Sequence, residues 1–269
     1  MISIYTVVYN KPVFLEIQYK QLLKYCNDNF RLIVLNNGIC QETKNSISKI
    51  CNEFDIQEIN FLNQDDIHYC SHNHIQALKF LYNNYVNIDH ESDIRIVMDS
   101  DIFAYTRFSF YELLDNCDVV GLSMINYFSA IYTMYSKTVN LNNFNIDAGC
   151  GDSGSGTGVL LSKYKNKGIN HTAPIRKFEA EYIFKNATNE AMQYDNSYIF
   201  QFIANCFLHY YRGSGWDNAD NIFHSRKFEF LKHFLENTNI YNINLDSNVC
   251  YETALVDEYF YKNKYRLGK

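Results

Sequence analysis

Two aspartates end an apolar run near the middle of the chain, in the stretch RIVMDSDIFAY at residues 95–105. Asp99 and Asp101 are separated by one serine, and the apolar residues before them are typical of a buried strand. Two carboxylates beside a turn suit one divalent cation shared with a diphosphate. Such a cation would neutralise the charge that grows on a diphosphate leaving group. The alternative interpretation is a polar strand end with two solvated aspartates.

The segments before Asp99 alternate between strand and helix patterns. Strands are predicted at 2–10, 30–38 and 56–64, and helices at 13–26, 41–54 and 71–85, the last with Ser71 as its N-cap. Strands that alternate with helices require crossovers, and crossovers build a parallel sheet with helices on both faces. Ligands of such sheets bind at the carboxyl ends of the strands, and Asp99 and Asp101 occupy such a position.

The pattern changes after Asp101. A helix is predicted at 108–117, strands at 118–125 and 130–139, a glycine-rich loop at 145–161, and mostly helix from Asn218 onward. Neither an internal repeat nor a low-complexity linker divides the chain. We therefore predict one α/β domain built around a mostly parallel central sheet that is flanked by helices.

Composition excludes several classes of protein. The 269 residues carry a formal net charge of −6, which gives no basic surface for a nucleic-acid partner. The eight cysteines are scattered without a CxxC pair, which is typical of a reducing compartment. No signal peptide and no apolar stretch of the ~20 residues that a membrane span requires is evident. We predict a cytoplasmic protein with no transmembrane segment.

The order of four segments resembles the nucleotide-sugar-dependent glycosyltransferases of the GT-A fold, in particular the family-2-like enzymes. The segments are YTVVYN at 5–10, LIVLNNG at 32–38, SHNHIQAL at 71–78 and IVMDSDIF at 96–103. The resemblance implies a Rossmann-like GT-A catalytic domain over residues 1–216 and a helical extension over 217–269 packed on the same domain. It further implies a nucleotide-diphosphate sugar as donor, a glycan or other hydroxyl acceptor, and Mn²⁺ or Mg²⁺ held by the DxD motif.

The resemblance also implies roles for individual residues. A second segment that matches the family is HYYRGSGW at 209–216, which resembles the late loop that closes over the donor. By this resemblance Asp99, Asp101 and His209 bind the metal. Arg212 contacts phosphate, and Trp216 packs on a sugar. Thr6, Val8 and Asn10 line the base, and Ser100 lies among the donor-binding positions. Asn36 and Asn37 stand where the family often has an aspartate that contacts the base or ribose.

Histidines and aspartates also cluster around the predicted third helix: Asp65, Asp66, His68, His72 and His74. Their spacing would permit a metal site, but polar residues at the start of a helix whose amides face a crevice need no metal. We rank simple helix capping first, donor contact by His72 and Asn73 second, and metal binding third.

The glycine-rich segment IDAGCGDSGSG at 146–156 has a second interpretation. It resembles the loop that binds S-adenosylmethionine in methyltransferases, although in that fold the loop follows the first strand. In a glycosyltransferase the segment would border the acceptor, and an inverting reaction would need a carboxylate to take the acceptor's proton. Asp152 is the first candidate for this base, followed by Asp147 and Glu181, whereas a retaining reaction needs none.

Two other classes are weaker alternatives. A phosphatase that uses DxD as nucleophile and acid normally has the motif after the first strand of its domain. A non-catalytic sugar-binding module would tolerate the loss of the metal-binding pair, whereas this chain keeps both acids. The sequence leaves open the donor sugar, its base, the acceptor and the oligomeric state.

Overall fold

A seven-stranded sheet organises the chain in the computed structural model, which describes residues 1–61, 70–124, 127–142, 144–146, 154–172, 200–210 and 221–236. In chain order, β1 to β11 span Ile2–Val8, Phe30–Asn36, Gln57–Asn60, Ile94–Met98, Ile102–Ala104, Val119–Ser123, Phe128–Ser136, Asn166–Ile169, His171–Thr172, Gln201–Ile203 and Phe207–His209. Helices α1 to α6 span Pro12–Tyr25, Gln41–Glu53, Cys70–Leu81, Phe110–Leu114, Gly158–Leu161 and Asn221–Glu236. A π-helical turn at Tyr82–Val86 continues α3.

The strand order of this sheet is β3-β2-β1-β4-β7-β6-β8, and only β7 runs antiparallel to its neighbours. The chain moves outward from β1 to β3 and then crosses back to place β4 on the other side of β1. Parallel crossovers are right-handed. When the chain reverses the direction in which it adds strands to the sheet, the connecting helix therefore lies on the opposite face of the sheet. The reversal therefore creates a crevice at the carboxyl ends of β1 and β4.

Helices cover both faces of the sheet, as the sequence predicts. Side chains of α1, α2 and α4 pack in one core cluster with Ile4 and Val8, whereas α3 and α5 pack in a second cluster with Tyr5 and Val7. The neighbours in β1 alternate between the two clusters because successive side chains of a strand point to opposite faces. The predicted α/β class with a mostly parallel central sheet is confirmed.

Most predicted elements before Asp101 match the structure within two residues at their ends. The third strand, predicted at 56–64, is Gln57–Asn60, and residues 62–64 lie outside the described residues. The third helix, predicted at 71–85, is α-helical to Leu81 and continues as the π-helical turn. One detail is wrong: Ser71 lies inside α3, which the structure describes from Cys70, and so Ser71 is not the N-cap. Among the described residues, no helix combines the length and apolar character that crossing a membrane requires.

A second, four-stranded sheet is built from short strands in the order β5-β11-β10-β9. One of its faces contacts the main core through Phe207, whose ring lies 4.6 Å from that of Phe108 and 5.3 Å from that of Tyr132, centroid to centroid. The other face carries Phe103 and Phe202, which pack with Leu231 and other residues of α6. The small sheet is thus held between the main core and α6.

The carboxylate of Asp89 ties together the chain at the amino edge of the main sheet, opposite the crevice. Asp89 Oδ2 accepts a hydrogen bond of 2.8 Å from the hydroxyl of Tyr5 and lies 3.4 Å from the guanidinium of Arg31. Its Oδ1 accepts 3.1 Å from the N–H of Ser92. Burial alone raises the pKa of Asp89, but the hydrogen bonds from Tyr5, Ser92 and Ser3 outweigh it and hold the pKa at about 2.

We expect Asp89→Asn to lower the free energy of unfolding by about 2 kcal/mol at pH 7. A carboxylate with a depressed folded-state pKa stabilises the protein above its unfolded pKa of about 4. That contribution is lost as the pH falls toward the folded value of about 2. Urea unfolding of wild type and mutant, repeated from pH 7 to pH 3, should show the difference shrinking below pH ~4. The exposed change Glu91→Gln is the control, and a difference independent of pH would contradict the explanation.

Candidate functional site

The two aspartates lie in a tight turn that leads from β4 into β5. The N–H of Asp99 donates to the carbonyl of Ile131 at 2.9 Å, which attaches the start of the turn to β7. The N–H of Ile102 donates back to the carbonyl of Asp99 at 3.2 Å, and the carbonyl of Asp101 accepts 2.8 Å from the N–H of Tyr210. The backbone of the Asp-Ser-Asp turn is therefore bonded to both sheets.

The side chain of Gln18 in α1 binds the backbone of the same turn. Its amide Nε2 donates to the carbonyl of Asp99 at 2.7 Å and to the carbonyl of Ile102 at 3.2 Å. The residue is fully buried. Two carbonyl groups that close a turn point in similar directions, and one NH₂ group can satisfy both. This contact could not be predicted from the sequence, because a glutamine in an amphipathic helix is usually a surface residue.

His209 faces Asp101 across the pairing of β11 with β5, in which His209 stands opposite Ile102. Its Nε2 lies 3.4 Å from Oδ1 of Asp101, and its side chain is only 6% exposed. Asp101 Oδ1 is itself buried and has no hydrogen-bond partner among the described residues. The structure thus brings together two of the three residues predicted to bind a metal, although they are far apart in the sequence.

Asp99 has a histidine partner of its own, which is His74 of α3. His74 Nε2 lies 3.3 Å from Asp99 Oδ1, and both side chains are partly exposed. Burial lowers the pKa of His74, but the charge and hydrogen bond of Asp99, with a contribution from the charge of Asp101, outweigh it and leave the pKa raised. Sequence reasoning favoured His72 over His74, although a histidine two positions away lies on a different side of a helix.

The donor atoms of the Asp-Ser-Asp turn fit a divalent cation. A buried carboxylate oxygen without a partner costs free energy unless a cation or donor meets it. Carboxylate oxygen suits Mg²⁺ and Mn²⁺, and imidazole nitrogen suits the transition metals, so that Asp101 and His209 together favour Mn²⁺. No group of three or more histidine, cysteine, aspartate or glutamate ligands converges in the part of the chain that the structure describes.

Asn36 and Asn37 follow each other at the carboxyl end of β2 but differ in what they contact. The amide Nδ2 of Asn36 donates 2.6 Å to Glu58 and 3.0 Å to the carbonyl of Lys44, and its Oδ1 accepts 3.1 Å from the N–H of Gly38. Asn36 is thus occupied in shaping the turn between β2 and α2. Asn37 is 4% exposed, and its Nδ2 has no hydrogen-bond partner among the described residues.

The remaining predicted donor-binding residues differ in their burial. Thr6 and Val8 are fully buried in β1, where Val8 belongs to the core cluster beneath the sheet. Asn10 follows β1 and is partly exposed, as is Ser100 in the turn. Asn73 is 7% exposed in the first part of α3. The backbone of His72 lies in the same helix.

The glycine-rich segment is anchored beside the Asp-Ser-Asp turn. The N–H groups of Gly154 and Gly156 both donate to the carbonyl of Ile146, at 3.1 and 3.0 Å. Gly154 has a φ of +116°, and a Cβ there would lie 2.5 Å from the backbone nitrogen of Ala130. Gly154 is needed for close packing against β7 and Gly156 for close packing against the backbone of Asn145, and the segment follows β7 rather than β1. Both facts argue against the S-adenosylmethionine loop.

Several predicted site residues lie outside the described residues. They are the three candidate bases Asp147, Asp152 and Glu181, and the donor contacts Arg212 and Trp216. Two described residues near these positions, Gly154 and Tyr210, lie beside the Asp-Ser-Asp turn. Gly154 contacts Ala130, the neighbour of Ile131, which accepts the hydrogen bond of Asp99. Tyr210 binds the carbonyl of Asp101, and the segment 211–216 continues from it.

Comparison with known proteins was made at the level of sequence and of structure. No family model matches the chain, and no curated protein matches it in sequence. Among solved structures, one similar to it is a mannosyltransferase, PcManGT from Pyrobaculum calidifontis, in complex with GDP-Man and Mn²⁺. It has 12% identity and a TM-score of 0.45, over 73% of this chain and 65% of that chain. Another is an active-site mutant of LgtC, with 16% identity and a TM-score of 0.36, over 51% of this chain and 57% of that chain. The chain thus spans just under two thirds of the first structure and little more than half of the second.

The contacts of Gln18 generate a prediction about the turn. Gln18→Met keeps the length of the side chain but leaves the carbonyls of Asp99 and Ile102 without this donor. We expect a loss of about 1–3 kcal/mol in the free energy of unfolding, together with weaker binding of Mn²⁺, because the carboxylates are no longer held in place. Urea unfolding and calorimetric titration with Mn²⁺ measure the two effects.

Gln21→Met, a matched change on the same helix, is the control for this experiment. If Gln18→Met lowers stability but binds Mn²⁺ with the affinity of the wild type, the glutamine supports the fold and not the site.

Proposed function

We propose that this chain is a GT-A-type glycosyltransferase that moves a sugar from a nucleoside-diphosphate donor to a saccharide or other hydroxyl acceptor with the help of Mn²⁺ or Mg²⁺. The observation that carries the proposal is the Asp101–His209 pair. Two buried metal-binding atoms lie 3.4 Å apart at the switch point of a mostly parallel sheet, and the carboxylate oxygen has no partner among the described residues. An α/β crevice of this kind is where ligands bind.

Asp101 and His209 would hold the cation, and Asp99 would contribute through a water or the donor ribose. When bound, the cation supplies neutralisation of the charge that develops on the diphosphate as the sugar leaves. The backbone contacts of the turn and the amide of Gln18 fix the carboxylates before substrate arrives. Such preorganisation lowers the cost of binding a charged diphosphate. His74 lies next to Asp99 and would help to balance the charge of the two carboxylates.

The nucleoside of the donor would lie over the carboxyl ends of β1 and β2. Among the described residues Nδ2 of Asn37 has no hydrogen-bond partner, which supports this position, because a buried amide donor without a partner is costly and a base or ribose oxygen would satisfy it. Asn10 is near enough in the fold to contribute, because the N–H of Asn37 donates to the carbonyl of Val8 at 2.9 Å. Asn36 would act indirectly by shaping the turn between β2 and α2. Thr6 and Val8 would act from the core, by packing beneath the part of the crevice that holds the base.

The other parts of the donor would meet α3 and the late loop. Asn73 and His72 belong to the helix that brings His74 to Asp99, which supports their proposed contact with the donor. Ser100 lies between the two aspartates. Arg212 and Trp216 follow His209 in the sequence, and we propose that Arg212 contacts phosphate and that Trp216 packs on a sugar.

The acceptor would approach from the side of the glycine-rich segment. Gly154 packs against the first residues of β7, next to the turn that holds Asp99. The position of this anchor supports Asp152 as the base that takes the acceptor's proton in an inverting reaction, with Asp147 and Glu181 as the other candidates. The division at residue 216, the cytoplasmic location and the lack of a nucleic-acid partner stay predictions from the sequence.

A panel of nucleotide sugars tests the proposal. Each donor is incubated with the protein with and without Mn²⁺, and release of nucleoside diphosphate is measured in the presence of simple saccharides. We expect release from at least one donor, with Mn²⁺ required. Calorimetry with S-adenosylmethionine is the opposing arm, and micromolar binding in the absence of any donor turnover would favour a methyltransferase.

The roles of the two aspartates differ in a measurable way. Asp101→Asn should lower kcat/KM by at least about a hundredfold, because roughly 3 kcal/mol of leaving-group stabilisation is lost with the metal ligand. Asp99→Asn should cost less, because its carboxylate is not the one that faces His209. Both variants should fold, since neither change leaves a cavity.

Asp115→Asn changes an exposed aspartate that pairs with Lys167, and it serves as the control. A purified Asp101→Asn protein with the turnover of the wild type in Mn²⁺ would show that the turn is only the polar end of a strand.

A further inference from the structure

We propose that Gln201 is a positioning residue that fixes which ring nitrogen of His209 carries the proton, so that Nε2 presents a lone pair to the cation site. This inference rests on the proposed metal-dependent function. Gln201 is not among the residues that the sequence pattern brings forward, and the donor and acceptor chemistry above does not use it. Its place is behind His209, on the side away from Asp101.

The pairing of β10 with β11 sets this contact. Gln201 stands directly opposite His209 in the antiparallel register, so that their side chains lie next to each other on one face of the small sheet. Both residues are 5% exposed. Nδ1 of His209 and Oε1 of Gln201 are 2.9 Å apart, which is the normal length of a hydrogen bond.

An amide oxygen can only accept a hydrogen bond, and therefore Nδ1 of His209 must donate. A neutral imidazole has one N–H, so its other nitrogen, Nε2, is then an acceptor. Nε2 faces Oδ1 of Asp101 at 3.4 Å, and that oxygen is an acceptor as well. In this tautomer the lone pair of Nε2 is directed toward Oδ1 of Asp101, where the proposed cation would bind.

Metal-binding histidines commonly donate their other N–H to an oxygen acceptor, which orients the ring and sets the tautomer. The uncharged amide of Gln201 occupies this position next to Nδ1 of His209.

The tautomer can be observed without metal or substrate. In protein labelled with ¹⁵N at histidine, long-range ¹H–¹⁵N spectra distinguish Nδ1–H from Nε2–H and from the imidazolium, and His209→Gln identifies the signal. We expect metal-free wild type at pH 7.5 to show Nδ1–H at His209. A predominance of Nε2–H or of the imidazolium would overturn the proposal, whatever the activity of the protein.

Substitution of Gln201 tests the consequence for the cation. Gln201→Leu removes the acceptor, and we expect Mn²⁺ affinity, measured by electron paramagnetic resonance of the free ion, to fall about 10–100-fold. Gln201→Glu keeps an acceptor oxygen and should retain both the Nδ1–H and most of the affinity. Gln57→Leu, an exposed glutamine on β3, is the control.

Thermal unfolding of each variant separates a loss of affinity from a loss of fold. Mn²⁺ affinity in a folded Gln201→Leu protein equal to that of the wild type would contradict the positioning role. If the wild type does not bind Mn²⁺ but does show Nδ1–H at His209, the result would contradict the proposed metal dependence. The assignment of the tautomer would still hold.

Discussion

The antiparallel pairing of β11 with β5 is the contact on which the candidate site depends. It places His209 opposite Ile102 and hence beside Asp101, and it lets the N–H of Tyr210 bind the carbonyl of Asp101. Closing so long a loop has an entropic cost that rises only slowly with loop length. Three paired residues alone would not offset the cost of ordering the chain.

Aromatic burial on both faces of the small sheet supplies the missing stability. Phe207 enters the main core, while Phe103, Phe202 and Tyr210 are buried beneath α6 and α1. Each fully buried aromatic side chain contributes roughly 1.5–3 kcal/mol, so that a few of them exceed the cost of the loop. The buried Lys227 of α6 lies 3.8 Å from the centroid of the Tyr210 ring, which adds a cation–π contact to the same cluster. The core therefore positions the site.

Much of this architecture could be predicted from the sequence, because it follows from local patterns of apolar residues. The periods of strand and helix, and the rule that crossovers are right-handed, are enough to place Asp99 and Asp101 at the carboxyl end of β4. A strand at 130–139 was predicted, but the antiparallel direction of β7 was not, because the period of a strand does not give its direction. The small sheet could not be predicted, because strands of two or three residues have no pattern of their own and are specified by tertiary packing. The partners Gln18, His74 and Gln201 were missed for a related reason. Each depends on a register or helix face that only the assembled fold fixes.

Asp101 and His209 are the centre of the proposed site, because Oδ1 of Asp101 and Nε2 of His209 lie 3.4 Å apart and the proposed cation would bind to both. X-ray diffraction at wavelengths above and below the manganese absorption edge, from crystals grown with Mn²⁺ and a nucleoside diphosphate, tests this most directly. The account predicts an anomalous peak within coordination distance of both Oδ1 of Asp101 and Nε2 of His209. A fully occupied nucleotide site with no manganese peak between these atoms, or with the peak elsewhere, would contradict it.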